Sequence, residues 1–483
     1  MTVQQLSGLD AAFLHMETAR TFGHVSSLSI FERPADPAFS PFDAFRAQVQ
    51  HRLPLVDPLR RRLVEVPFGL DRPYWIADPD FDLEFHVRQI GLAPPGSVEQ
   101  ITEQVARIVG RPLDRTRPLW ELYVIEGLEN DDFAVLTKIH HATIDGASGA
   151  EMMSILLDSE ATARPDAELE DTWRPDQVPS PLDLLGRASI NLTRNPMLAS
   201  RLALRSMGEL AKAARRVDIA DTLDAIQRRL RPPSAEQRDR APMLPRMAAP
   251  STPFNKAITA HRRFAIGSVP LDDIKTIKNR LGVTVNDVVM AVCAGALRRY
   301  LENCDALPTD PLVAMVPVSI RSGDEADKWT NRVFALTADL PTNVEDPEER
   351  VQAMAVTMNA AKQRFELMPA DLIMDFTQFA MPALATRAIR LATSTRIVDR
   401  LNPPFNLVIS NVPGPRRPLY AAGARMKHYY PVSTITDGQG LNITVQSYTD
   451  TLDFGLVACR ELVPDLWDLL QLCLDEVQTL TKA

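Results

Sequence analysis

Phe133-Ala-Val-Leu-Thr-Lys-Ile-His140 runs directly into His141-Ala-Thr-Ile-Asp145-Gly146, and the reading of this stretch decides the rest. Phe133, Val135, Thr137 and Ile139 fall on one side of an alternating run, the pattern of a half-buried strand. Gly146 and Gly149 then allow a tight passage into a helix carrying Met152, Met153, Leu156 and Leu157. The two imidazoles therefore sit where a strand hands over to a loop, a place where chemistry is commonly mounted on a rigid scaffold. The fixed positions of His140, His141, Asp145 and Gly146 would coincide by chance in about one chain in a thousand of this length.

Histidine is the side chain best suited to move protons near neutral pH. An imidazole aligned with a substrate O–H contributes about 10²–10⁴-fold when that oxygen attacks a carbonyl. His141 is the candidate base, with His140 beside it. Asp145 has two readings, orienting the imidazole or holding the loop, and its spacing does not separate them. Gly146 marks a cramped turn. A metal site is not expected, because no third ligand has recognisable spacing.

Working outward, short strand-like and helical runs alternate. Leu28–Phe31 reads as a strand and Pro41–Arg52 as a helix. Further strands are expected at Val313–Val318, Asn406–Ser410, Leu441–Ser447 and Phe454–Ala458. Leu281-Gly-Val-Thr-Val-Asn-Asp287 enters a helix, Val288–Tyr300, for which Asn286 is a suitable N-cap. Asn286 and Asp287 thus have a capping reading and an active-site reading. Ser410-Asn-Val-Pro-Gly-Pro415 reads as a strand ending in a rigid turn. Either Ser410 or Asn411 is also placed to donate a hydrogen bond near a reacting carbonyl.

Residues 160–182 are rich in Pro, Asp and Glu, and residues 183–256 carry 14 Lys/Arg against 7 Asp/Glu. Leucines interleaved with arginines there describe either a basic amphipathic pair lying on an anionic membrane or a linker packed across two domains. The division expected is an N-terminal domain over 1–182, a basic helical linker over 183–252 and a C-terminal domain over 253–483.

The whole chain, 483 residues, has a net charge of −9, which disfavours nucleic acid as a partner. It is 45% hydrophobic and 24% charged, as ordinary globular proteins are. Its 4 cysteines lack C-x-x-C spacing, so neither a zinc ribbon nor a disulfide framework is expected. Met1–Glu17 has no basic region followed by an apolar run, and no segment approaches 18 consecutive apolar residues. A cytoplasmic protein, touching membranes at most peripherally, is the expectation.

Segments along nearly the whole chain resemble the bacterial wax ester synthase/diacylglycerol acyltransferase family, within the coenzyme A-dependent acyltransferases that share H-x-x-x-D-G. They are Leu6-Ser-Gly-Leu-Asp-Ala-Ala-Phe13, Phe85-His-Val-Arg88, Pro112-Leu-Asp-Arg-Thr-Arg-Pro-Leu-Trp-Glu121, Thr284-Val-Asn-Asp287, Val316-Pro-Val-Ser-Ile-Arg321, Ser410–Pro415 and Leu441-Asn-Ile-Thr-Val-Gln-Ser-Tyr448. The resemblance implies an α+β (α/β sandwich) fold of two chloramphenicol-acetyltransferase-like domains, joined by a helical crossover, with an active-site tunnel at their interface. It implies direct transfer from acyl-CoA, a co-substrate rather than a bound cofactor, to diacylglycerol or a long-chain alcohol. His141 would be the base and Asp145 mainly structural. It also implies association with the inner face of the membrane or with lipid droplets. A donor held on a carrier protein, or a catalytically silent lipid-binding scaffold, are the competing readings. Phe334 and His15 depart from the family pattern, and Phe334 is expected to narrow a channel.

Overall fold

The computed structural model describes residues 3–143, 152–153, 155–162, 171, 173–191, 249–319, 333–366 and 403–482. Two six-stranded sheets organise them. The first half of the chain supplies β1 (Gln4–Gln5), helix α1 (Gly8–Met16), β2 (His24–Phe31), α2 (Pro41–Arg52), β3 (Arg61–Val64), β4 (Tyr74–Ala77), α3 (Leu83–His86), β5 (Val87–Gly91), α4 (Val98–Val109), β6 (Trp120–Glu126) and β7 (Phe133–His140). The second supplies β8 (Arg262–Pro270), α5 (Leu271–Leu281), α6 (Val285–Asn303), β9 (Leu312–Ser319), β10 (Val333–Leu340) and α7 (Pro347–Glu366). It continues with β11 (Leu407–Val412), β12 (Tyr420–Ala421), β13 (Ala424–Val432), β14 (Leu441–Tyr448), β15 (Thr451–Cys459) and α8 (Leu466–Lys482).

The sheets do not follow the order of the halves. The first has the order β12-β13-β2-β7-β6-β5, so residues 420–432 leave the second half and complete it. Strand β13 pairs with β2 from Val432↔Ser26 to Met426↔Phe31, with a register shift between Met426 and His428. The second sheet has the order β10-β9-β11-β14-β15-β8. Strands β1, β4 and β3 form a small third sheet.

The α+β architecture expected from the sequence is observed, with one change at its centre. All eight residues of β7 are buried, whereas alternation predicted a half-exposed strand. Its neighbours β2 and β6 fill both edges, and both faces are covered. Phe133, Val135 and Ile139 pack with Phe45 and Val49 of α2 and with Met152, Met153, Leu156 and Leu157. Ala134 and Leu136 face the other way, toward Ile101, Val105 and Val109 of α4. That second cluster also holds Phe264, Ile266, Val457 and Cys459, so α4 is a filling between the two sheets. Of the connector, 183–191 is helical and packs Leu184 and Ala188 against Val66 and Tyr74; residues 192–248 lie outside the described residues.

Helices α5 to α8 cover the far face of the second sheet. There Arg350 pairs with Glu476, both nearly buried, and Arg299 reaches the same carboxylate at 3.3 Å. A Cβ on Gly295 would fall 2.2 Å from Glu476 Oε1, so a glycine in α6 makes the room for that pair.

The sheets meet most closely where β13 crosses β15. A Cβ on Gly455 would lie 1.8 Å from the carbonyl oxygen of Pro431, a backbone atom that cannot step aside alone. Gly455→Ala is therefore expected to cost about 2–3 kcal/mol, the scale of overpacking in a closed interior. Urea unfolding monitored by tryptophan fluorescence measures it, and an unchanged midpoint would show that the crossing is not tight.

Candidate active site

Strand β7 carries His140 to its end, paired with His24 of β2. The His140 side chain is buried, and its Nδ1 accepts the N–H of Ala142 at 3.0 Å. An accepting Nδ1 places the ring proton on Nε2. That Nε2 lies 3.2 Å from Glu17 Oε1, near enough for attraction but too poorly aligned to count as a hydrogen bond. Glu17 also accepts the Gly23 N–H at 2.8 Å and the Arg115 guanidinium at 2.7 Å. Burial alone would push the Glu17 carboxyl up; His140, the Gly23 N–H and Arg115 outweigh it and hold the group down at about 2.

Gly23 serves both histidines. A Cβ there would sit 2.5 Å from His140 Nε2, so only glycine lets the backbone lie against that ring. Its carbonyl accepts the His141 N–H at 2.8 Å. The His141 ring, half-buried, stacks on Phe13 of α1 at 4.2 Å with planes 10° apart. His140 is thus enclosed and tied to an acid, while His141 lies on an aromatic face. Beyond them, Thr143 is buried, and among the described residues its Oγ1 has no hydrogen-bond partner. A cavity of about 360 Å³ borders Ala142 and Thr143, with Trp75, Leu6 and Arg72 among its walls. Asp145 and Gly146 lie outside the described residues.

A buried polar layer supports the strand end from below. Lys138 Nζ donates to the carbonyls of Ile108 at 3.3 Å and Arg111 at 2.8 Å, and lies 3.4 Å from Glu121 Oε2. His24 Nε2 donates to Val109 O at 3.0 Å. Burial, then the Lys138 charge, push the His24 imidazole well below its ordinary range, so it stays neutral. Together these side chains take up carbonyls at the end of α4.

The second half brings two other expected residues together: Asn411 Nδ2 lies 3.4 Å from Asn286 Oδ1. Asn286 is not the N-cap that the sequence suggested. Thr284 caps α6, accepting the Asp287 N–H at 3.2 Å. Asp287 returns its carboxylate to Thr284 N–H and Oγ1 at 2.9 and 2.7 Å, so this buried acid is occupied by the capping box. Ser410 and Asn411 project from opposite faces of β11. Asn411 shares the helix-covered face with Ile409 and reaches α6, whereas Ser410 pairs with Thr444 on the face toward the first sheet. From Thr444 a chain of bonds runs through Asn442 to Thr434, and Thr434 Oγ1 donates to Phe22 O at 2.6 Å, next to Gly23. The strand that bears Ser410 is in this way tied to the histidine loop.

Trp120, from the Pro-Leu-Trp segment, is fully buried; its indole donates to Leu59 O at 2.6 Å and stacks on His86 at 4.3 Å. That motif is core. Residues 329–332 lie outside the described residues, and Val333–Phe334 pair with Ser319–Val318. Sequence reasoning missed Glu17, Gly23 and Arg115, none of which stands in a local pattern with the histidines.

Comparison with known proteins places the chain in a family. The catalytic-domain model of the wax ester synthase/diacylglycerol acyltransferase family matches residues 6–289, and its C-terminal-domain model matches residues 329–481. The O-acyltransferase WSD of Acinetobacter baylyi is 33% identical over 482 residues, covering 99% of this chain and 96% of that one. The Mycobacterium tuberculosis protein named "Probable diacyglycerol O-acyltransferase tgs2" is 38% identical over 463 residues, 95% of each. Among solved structures, the wax ester synthase/diacylglycerol acyltransferase of Marinobacter aquaeolei VT8 superposes with a TM-score of 0.68 at 31% identity, covering 99% of this chain and 98% of that one. The first condensation domain of the CDA synthetase reaches 0.54 at 17% identity over 99% and 95%, a likeness of fold alone. Two family models in sequence order and full-length relatives a third identical leave one conclusion: this chain belongs to the wax ester synthase/diacylglycerol acyltransferase family.

Proposed function

We propose that the chain transfers a fatty acyl group from acyl-CoA directly to the hydroxyl of diacylglycerol, and of long-chain alcohols, with His141 as general base. The observation that carries this reading is the division of work between the two histidines. His140 is enclosed, its Nδ1 spent on Ala142 N–H and its Nε2 turned to Glu17. His141 is half-buried and held flat against Phe13. As the acceptor oxygen attacks the thioester carbonyl, His141 takes its proton. When the tetrahedral intermediate collapses, the C–S bond breaks and the imidazolium returns that proton to the departing thiolate. Ser410, on the face of β11 toward the first sheet, would donate to the oxyanion. Two of the thiols are poor nucleophiles: burial pushes Cys293 up to about 12 and raises Cys473 as well.

Such substrates concentrate at lipid surfaces, and the reading includes work at one. Phe68 stands 83% exposed at a positive φ, with Leu70 59% and Leu182 80% exposed. Arg72 and Arg187 lie close by. An apolar tip flanked by guanidinium groups suits an anionic bilayer. Among the described residues no single helix is long and apolar enough to cross a membrane.

Three outcomes are expected. Purified protein given palmitoyl-CoA and dioleoylglycerol should release free thiol and form triacylglycerol. His141→Ala should lower the rate about 10²–10⁴-fold, and palmitoyl-carrier protein should be a poor donor. An unchanged rate in the variant would remove the base. Flotation with phosphatidylglycerol vesicles should weaken both in Phe68→Ser/Leu70→Ser and when Arg201, Arg205, Arg215 and Arg216 become Glu; equal flotation would sink the surface reading. The third concerns pH. Glu17 is held at about 2 in the folded protein, below its ordinary 4.5, so its contribution is complete above about pH 5 and fades as pH falls toward 2. Glu17→Gln should therefore lower stability by on the order of 2–3 kcal/mol at pH 7. Urea midpoints compared from pH 7 to pH 3 should converge; a constant gap would mean the carboxylate charge is not what Glu17 supplies.

A further inference from the structure

The seam between the sheets holds a second cavity, of about 610 Å³, between the end of α4 and the start of β8. Its lining includes five arginines: Arg107, Arg111, Arg262, Arg263 and Arg460, with His261 beside them. Glu99 and Glu103 share the lining, and Glu461 stands next to it, 2.7 Å from His261 Nδ1 and 3.2 Å from Arg460. Arg107 is answered by Glu103 at 2.6 Å in a pair open to solvent, which contributes little to holding either side chain. Arg111, Arg262 and Arg263 have no carboxylate within 4 Å among the described residues. Arg111 and Arg263 are exposed. Arg262 is nine-tenths buried, its hydrogen bonds going to the carbonyls of Thr259, His261 and Arg20. The carbonyls at the end of α4, which would repel an anion, are already taken up by Lys138 and His24.

Two features say what would fill the space. Trp467, partly exposed, lies in the wall, so the cavity offers an aromatic face as well as guanidinium forks, the pairing that suits a purine carrying phosphates. Two of its lining arginines are bonded to residues next to the histidine loop. Arg262 donates to the carbonyl of Arg20, three residues before Gly23, and its guanidinium lies over the Phe22 ring at 5.3 Å. Arg111 O is bound by Lys138, which projects from the same face of β7 as His140, two residues on.

We infer that this basic cleft holds the phosphate-bearing nucleotide end of the thioester donor, with Arg111, Arg262 and Arg263 as its anion contacts and Trp467 as its stacking surface. The assignment rests on the acyl-CoA reading above. A phosphate ester can also belong to an anionic lipid headgroup, and the experiment separates the two.

The full chain and Arg111→Glu/Arg263→Glu are compared over a series of palmitoyl-CoA concentrations, with 3′,5′-adenosine bisphosphate as competing probe. Reversing two exposed charges should raise the KM for palmitoyl-CoA about tenfold or more with little change in kcat, and should abolish inhibition by the bisphosphate. Arg46→Glu, an exposed reversal on α2, should leave both at the wild-type level. Unchanged KM and inhibition in the double variant overturn the assignment while leaving the donor reading intact. So does a variant that loses binding to phosphatidylglycerol vesicles yet keeps bisphosphate inhibition, since the cleft would then serve a lipid headgroup. Should the wild type fail to turn over palmitoyl-CoA, the donor reading falls; calorimetric binding of the bisphosphate to wild type and variant then decides the cleft by itself. Arg111→Gln/Arg263→Gln, expected to show a smaller rise in KM, supplies the same comparison if the charge reversal unfolds the protein.

Discussion

Everything at the histidine loop is spaced by one missing carbon. Because Gly23 has no side chain, its backbone lies against the His140 ring, its N–H reaches Glu17 and its carbonyl reaches the N–H of His141. Glu17 in turn gathers His140 and Arg115, so two distant parts of the chain converge on one carboxylate. The consequence is a pair of adjacent histidines with unlike environments. The first is enclosed and committed, and the second is presented at the strand's end against Phe13. Chemistry assigned to His141 depends on this asymmetry, and the asymmetry depends on close packing rather than on any property of histidine itself.

The same economy recurs where the sheets meet. Gly455 allows β13 to press on β15, and Gly295 allows a guanidinium and a carboxylate to be buried together between helices. Polar groups in these places are satisfied one by one. Lys138 and His24 answer the carbonyls of α4, while Thr434 ties the Phe22 carbonyl to the second sheet. The seam is thus bonded through near the loop, while the arginine-lined cavity opens between the end of α4 and the start of β8.

Strand β7 and helix α2 could be read residue for residue from the chain, because their periodicity and end signals are local. The histidine motif was legible for the same reason. Burial of both faces of β7 was not, since alternation tells which residues share a side but not how many layers a sheet will carry. Asn286 was read as a cap because asparagine suits that position, yet Thr284 with Asp287 forms a reciprocal capping box two residues earlier. Glu17, Gly23 and Arg115 stood in no local pattern with the histidines; Glu17 and Arg115 lie 98 residues apart, and only the folded chain brings them together. Strand β13 was hidden by Lys427, His428 and Pro431, which give it a mixed composition and an irregular register.

That strand has a consequence for how the protein comes into being. Strand β2, neighbour to the histidine-bearing β7, has one edge that stays bare until residues 424–432 arrive from near the far end of the chain. During synthesis the first sheet must wait, with unpaired backbone groups open to wrong partners, for most of the polypeptide to be made. Cutting the gene at the basic connector would leave β2, β7, β6 and β5 in one fragment without β12 and β13, while the second sheet would lie whole in the other. The histidine-bearing strand thus gains its full sheet only once residues 424–432 have been made and have docked on β2.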